Sequence, residues 1–161
     1  MRIGLSCFVL LVALSLCGSG VAQVSNNTVQ WSAALAPKAG EKAALDLSAT
    51  IAEGWHVYAL TQVAGGPTPL QITVEGNDQV QIARAVSGTV PEKRHDPSFD
   101  LDTEFYTRQI ALHLPLKVKQ NATAGHESVQ VSIRFQTCSD RTCLPPKTVH
   151  FTVPLETHKQ S

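Results

Sequence analysis

Towards the C-terminal end of the chain stands the segment Cys138-Ser139-Asp140-Arg141-Thr142-Cys143, which runs straight into Leu144-Pro145-Pro146. Three chemistries fit such a cysteine pair. It can close as a permanent disulfide, the ordinary fate of two cysteines in an exported domain. It can supply two thiolate ligands to zinc or copper. Tetrahedral zinc takes four ligands, however, and His56, His95, His113, His126, His150 and His158 show no ligand spacing near the pair, so no metal site is expected. Or it can cycle between dithiol and disulfide. Stability is a poor reason for so small a ring, because the chain-entropy contribution is about 2 kcal/mol, against about 4.7 kcal/mol for a loop of 100 residues. Reactivity depends on the thiolate population and on access. Arg141 and Lys147 would favour a thiolate, whereas Asp140 and Glu104 would oppose one. Pro145 and Pro146 have no N–H to donate, so the chain after Cys143 stays partly unpaired and open to a partner. Protection of a sheet edge against aggregation explains the same prolines. On the residues alone the permanent and the reversible disulfide both stay open.

The elements that hold the pair read as strands. Apolar and polar residues alternate through Ala43 to Ile51, Leu70 to Val74, Ile110 to Val118, Val129 to Phe135 and Val149 to Leu155. Such alternation marks strands with one buried face. Shorter candidates are Val29 to Ala33, Trp55 to Ala59 and Val80 to Val86. The total is about seven or eight strands, the number an immunoglobulin-like β-sandwich needs. Turn chemistry lies between them, at Pro37 to Gly40, Gly65 to Pro69, Gly76 to Asp78 and Asn121 to Gly125. Val129 to Thr137 and Thr148 to Leu155 flank the cysteines, which places the pair at the tip of an antiparallel hairpin. Opposed Cα atoms there are about 4.5 to 5.5 Å apart, within reach of a disulfide. Gly88 to Asp102 breaks the pattern: it is polar, charged and interrupted by Pro91 and Pro97, and reads as a long functional loop. Glu104-Phe105-Tyr106 follows it at a loop-to-strand junction.

The N-terminus bears on compartment. Arg2 precedes an apolar stretch from Ile3 to Cys17, and Gly18 to Ala22 supplies small residues, the pattern of a secretory signal peptide over residues 1–22. The stretch is too short to span a bilayer. Acylation of Cys17 is disfavoured, because Leu16 stands where a small residue is expected. Residues 23–161 then form one domain, large enough to build a core without disulfides. The 13 Lys and Arg balance the 13 Asp and Glu, and loss of Arg2 leaves a charge of about −1. Without a basic field, nucleic acid is not an expected partner. No later stretch is long enough for a membrane span, so direct membrane insertion is not expected either.

Three segments in order carry a family likeness. Phe135-Gln136-Thr137-Cys138, a short polar loop, Cys143-Leu144-Pro145-Pro146 and a closing strand resemble the periplasmic N-terminal domain of the thiol:disulfide interchange protein DsbD. Gly54-Trp55-His56-Val57-Tyr58 is similar to that family's glycine-aromatic-x-x-tyrosine segment, and Glu104-Phe105-Tyr106 to its cap loop. The likeness runs from about Trp31 to Leu155. It implies an immunoglobulin-like fold and a periplasmic location. It also implies a redox-active Cys138/Cys143 pair that works without a cofactor. Electrons would come from a thioredoxin-like domain fed by a membrane electron transporter, and pass to periplasmic thiol oxidoreductases, including those of cytochrome c maturation. By position, Cys143 would form mixed disulfides and Cys138 would resolve them. Phe105 would be the cap over the disulfide with Tyr106 beside it, Glu104 the acidic residue of the cap, and Tyr58 a lining residue.

The chain departs from the family pattern in a shorter loop between the cysteines and in Thr103, where an acidic residue often stands. A sequence ending at Ser161 carries neither a membrane transporter nor a thioredoxin-like domain, which leads to the expectation of a free-standing carrier. The competing expectation is a secreted interaction module with a permanent hairpin disulfide, recognising its partner through the loop from Gly88 to Asp102.

Overall fold

The computed structural model describes residues 22–25, 28–36, 39–40, 43–75, 80–118 and 128–154. Residues 1–21 of the expected signal peptide, with Cys7 and Cys17, Pro37, the turns expected at 76–78 and 121–125, and Leu155 lie outside the described residues. The strands are β1 Ala22–Ser25, β2 Val29–Leu35, β3 Ala43–Ile51, β4 Trp55–Tyr58, β5 Gln71–Glu75, β6 Val80–Ile82 and β7 Ser87–Gly88. They continue with β8 Glu92–Asp96, β9 Leu101–Thr107, β10 Gln109–Val118, β11 Ser128–Phe135, β12 Thr137–Ser139 and β13 Lys147–Pro154. The fold is all-β, an immunoglobulin-like sandwich. One sheet runs β1-β2-β3-β10-β6, with β7 also on β10; a second is β13-β11-β5; a third is β12-β4-β9-β8. The strands of all three sheets pair antiparallel.

The alternation along β3, β10, β11 and β13 sends every second side chain inward. Trp31, Leu45, Leu47, Leu114, Ile133 and Phe151 are fully buried in one core. Trp31 from the first sheet meets Phe135 from the second with ring centroids 5.5 Å apart, which closes the sandwich. Val57 and Tyr106 of the third sheet join the same core. The third sheet therefore has one face on the sandwich and a second face free for another purpose.

The expected loop at 88–102 is instead largely a hairpin. β8 pairs with β9 from Glu92↔Phe105 to Asp96↔Leu101, and the tip turns at Asp100, in the left-handed region with φ 54°. Glu92, Lys93, Arg94 and His95 are all exposed, so this edge strand has no apolar alternation to betray it. Polar contacts stand in its place: Lys93 lies 3.9 Å from Asp102 across the ladder, and His95 lies 3.3 Å from Asp100 at the tip. The short strands β1, β7 and β12 carry too few residues to show a period.

Candidate functional site

Cys138 and Cys143 form a disulfide, with Cα atoms 4.0 Å apart. The ladder holding them differs from the simple hairpin expected. The β11–β13 ladder stops at Phe135↔Lys147, and the chain then crosses to the third sheet, where Thr137, Cys138 and Ser139 pair with Val57, His56 and Trp55. Gln136 marks the crossing: its Oε1 accepts from the Thr68 amide at 3.1 Å. The return is a tight loop. The Ser139 amide donates to the Thr142 carbonyl at 2.8 Å and the Leu144 amide to the Thr137 carbonyl at 2.9 Å, which opposes the two cysteines as an isolated bridge. Ser139 Oγ accepts from the amides of Arg141 and Thr142 at 3.3 and 3.2 Å. Pro145 and Pro146 occupy the stretch between this loop and β13, where no ladder asks for an N–H.

Period-2 alternation decides what surrounds the disulfide. On β4 it separates His56 and Tyr58 from Val57, and on β9 it separates Thr103, Phe105 and Thr107 from Glu104 and Tyr106. The free face of the third sheet thus collects Cys138, His56, Tyr58, Phe105 and, from β8, Arg94 and Asp96. Tyr58, Phe105 and Cys138 pack as a small buried cluster of their own, with Phe99 and the partly exposed Cys143 against it. His56 is edge-on to Tyr58 at 5.1 Å and tilted against Phe105 at 5.0 Å. Phe99, from the hairpin tip, meets Tyr58 edge-on at 5.8 Å. Arg94 lies over the outer side of Phe105, 4.5 Å from the ring centroid, and its Nη2 is 3.5 Å from Asp140 Oδ1 in the cysteine loop.

Beneath the aromatics lies a polar knot on Asp96, which is only 6% exposed. Its Oδ2 accepts from the Tyr58 hydroxyl at 2.7 Å and from Thr103 Oγ1 at 3.4 Å, and its Oδ1 from the Ser98 amide at 2.8 Å. Burial alone would raise the Asp96 pKa, but the bonds from Tyr58 and Ser98 and the proximity of His56 outweigh it, and the net shift is downward. Tyr58 is pushed far up, by burial first and by its bond to the Asp96 carboxylate second. His56 is pushed down, chiefly by burial; Asp96 and Asp140 oppose the shift and Arg94 adds to it.

Of the residues singled out from sequence, the structure brings Cys138, Cys143, Phe105 and Tyr58 together. Glu104 and Tyr106 are placed otherwise. Tyr106 belongs to the main core, with its hydroxyl pKa raised by burial and then by Glu104. Glu104 is on the same side of the strand, its carbonyl accepting from the Ala59 amide at 2.8 Å and from Gln62 Nε2 at 2.5 Å. A cap in strand conformation directs adjacent residues to opposite faces, so Phe105 alone of the three covers the disulfide. The carboxylates on the disulfide side are Asp96, Asp140 and, accepting from Thr107 Oγ1 at 2.6 Å, Glu92. Arg141 and Lys147 are exposed, and the cation over the Phe105 ring is Arg94.

Sequence reasoning missed His56, Arg94, Asp96 and Phe99 as parts of this site. One signal was present: Asp96-Pro97-Ser98 is an Asx-turn sequence, and the Ser98 amide bond to Asp96 is that turn. Among the described residues no cluster of His, Cys, Asp and Glu could hold a metal ion, and no helix is long and apolar enough to cross a membrane.

Comparison with known proteins agrees with this architecture. No curated protein sequence matches the chain significantly. Among solved structures, the reduced N-terminal domain of DsbD from Neisseria meningitidis superposes with a TM-score of 0.50 at 18% identity, covering 70% of this chain and 78% of that one. The N-terminal periplasmic domain of ScsB from Proteus mirabilis superposes with a TM-score of 0.53 at 15% identity, covering 82% of this chain and 49% of that one. At such identities the likeness is one of fold. Residues 25–155 match the family described as thiol:disulfide interchange protein DsbD, N-terminal, and on that match, which takes in the cysteine pair and the aromatics packed on it, the chain belongs to the DsbD N-terminal domain family.

Proposed function

We propose that the Cys138–Cys143 disulfide is reversible and that the domain carries reducing equivalents between periplasmic thiol oxidoreductases. The observation that carries this reading is the placement of the bridge. It closes a ring of sequence separation 5 on the free face of the third sheet, outside the sandwich core, under a lid of Phe105 and Arg94. A ring of that size contributes about 2 kcal/mol by chain entropy, so stability gives little reason for it.

In the reducing half-cycle a donor dithiol, of the kind a thioredoxin-like domain of a membrane electron transporter presents, attacks the bridge. The donor leaves as a disulfide, and Cys138 and Cys143 become thiols. In the delivery half-cycle the Cys143 thiolate attacks the disulfide of an oxidised oxidoreductase and forms a mixed disulfide, expelling one partner thiolate. Cys138 then attacks Cys143 Sγ, the bridge closes, and the partner departs with both cysteines reduced. Of the two residues Cys143 is partly exposed and Cys138 fully buried, which suits the first to attack and the second to resolve. The lid makes access selective: a protein surface that displaces Phe105 reaches the sulfurs, while a small oxidant waits for the lid to open.

The test is trapping. Cys138→Ala mixed with an oxidised thioredoxin-fold oxidoreductase should accumulate a covalent complex that dithiothreitol dissolves, and Cys143→Ala should give none. Equal trapping by both variants would overturn the assignment of roles, and no complex with either would overturn the exchange reading.

A further inference from the structure

Resolution by Cys138 raises a proton problem. Cys138 is fully buried in an apolar cluster, a setting that disfavours its thiolate, yet it must lose its proton to attack the mixed disulfide. His56 stands directly opposite Cys138 in the β12–β4 pairing. Side chains opposed in this way share a face, with Cβ atoms about 4.5 to 5.5 Å apart. The imidazole is itself buried, 6% exposed, between Tyr58 and Phe105, and its Nε2 is one of two buried side-chain nitrogens or oxygens among the described residues with no hydrogen-bond partner. A buried polar atom left unpaired is costly, so its retention asks for an explanation. Its surroundings supply one. A cleft of about 220 Å³ is lined by His56 together with Arg94, Asp96, Ser139 and Asp140.

We infer that His56 is the proton acceptor for the resolving cysteine, taking the Cys138 thiol proton on Nε2 as Cys138 closes onto Cys143. The inference rests on the carrier reading above and names a residue that makes it work. The step balances. In the mixed disulfide Cys138 is a thiol; its proton passes to His56, the new Cys138–Cys143 bond forms, the Cys143–partner bond breaks, and the partner leaves as a thiolate. The imidazolium then returns its proton to that thiolate or to water in the cleft. In the reducing half-cycle the steps reverse: the ring takes a proton from the donor thiol or from water and passes it to Cys138 as that sulfur leaves as a thiolate.

The groups facing the ring are Tyr58 on its own strand, Arg94 and Asp96 from β8, Cys138 from β12 and Asp140 from the cysteine loop, with His95 also lining the cleft. Burial lowers the pKa of His56, which keeps the ring neutral and ready to accept a proton at neutral pH. Asp96 is held as a carboxylate and stabilises the imidazolium once it forms. Positioned acid–base groups contribute about 10²- to 10⁴-fold to such steps.

The experiment uses the full chain, reduced and mixed with 5,5′-dithiobis(2-nitrobenzoate). The first thionitrobenzoate released reports attack by Cys143. The second, independent of reagent concentration, reports resolution by Cys138 and needs no protein partner. In the wild type the second phase should hold its rate from neutral pH down to below the ordinary histidine range, then fall as His56 protonates. His56→Phe, which keeps an aromatic ring in place, and His56→Gln should slow the second phase by about 10²-fold at pH 7. They should also make it rise tenfold per pH unit, with the first phase unchanged. Thermal melts of both variants establish that they are folded. Wild-type second-phase rates and pH profiles in the folded variants would overturn the role of His56 while leaving the carrier reading intact. Absence of a second phase in the wild type itself would overturn both.

Discussion

Removing the lid gives the sharpest quantitative prediction. Phe105 is 1% exposed, packed on Cys138 and Tyr58 from within, and capped by Arg94 from without. If Phe105 gates the bridge, a small thiol attacks productively only when the ring swings out, and exposing a fully buried Phe side chain costs about 1.5 to 3 kcal/mol. Taking about 2 kcal/mol, and a factor of ten per 1.4 kcal/mol, the open form is populated to about one part in thirty. Phe105→Ala should therefore accelerate reduction of the bridge by dithiothreitol about 30-fold under native conditions, read by quenching with a thiol alkylator and weighing the products. The variant should also lose about 3 kcal/mol of stability, at the low end of the range for Phe→Ala, because its cluster is a satellite of the main core. Phe151→Ala separates the two effects. Phe151 is equally buried but lies in the main core, so this variant should lose comparable stability without gaining a comparable rate. A Phe105→Ala rate within twofold of wild type, or equal acceleration by Phe151→Ala, would refute the lid.

Arg94→Ala removes a cation–π contact and an exposed ion pair, together about 1 kcal/mol, so reduction by dithiothreitol should rise about fivefold. Asp96→Ala leaves the buried Tyr58 hydroxyl without its acceptor and should cost about 1 to 3 kcal/mol in denaturant unfolding. Acid should act in two steps, since both His56 and Asp96 have folded-state pKa values below their ordinary ones. Stability is complete above the unfolded histidine value, falls below about pH 6.5 as the unfolded state takes up a proton that buried His56 resists, and falls again below about pH 3.9 through Asp96. Melting curves of His56→Phe should lack the first fall and those of Asp96→Asn the second. Gly88→Ala should destabilise by about 1 to 3 kcal/mol, because its φ is +142° and an added Cβ would meet the Ala111 carbonyl oxygen on β10.

The sandwich was legible because its strands announce themselves: Ala43 to Ile51 and Ile110 to Val118 alternate cleanly, and they are neighbours in the first sheet. The cysteines and Phe105 were legible as residue types in an ordered set of segments. The site's inner lining was hidden for two physical reasons. A strand such as Trp55-His56-Val57-Tyr58 shows its period but not which face meets the core, so His56 and Val57 could not be told apart. A charged edge strand such as Glu92 to Asp96 buries almost nothing and is held by its neighbour and by cross-strand charges, so it shows no period at all. Arg94 and Asp96 thus lay concealed in an apparent loop, and Glu104 and Tyr106 were assigned to a face that strand geometry gives to Phe105.

The reduction potential of the Cys138–Cys143 couple tests the central claim most directly. Equilibration in dithiol/disulfide redox buffers, with the redox state read by alkylation, should place it above about −300 mV, in the range of pairs that exchange with oxidoreductases. A potential far below about −300 mV would mark a permanent structural bridge and contradict the account.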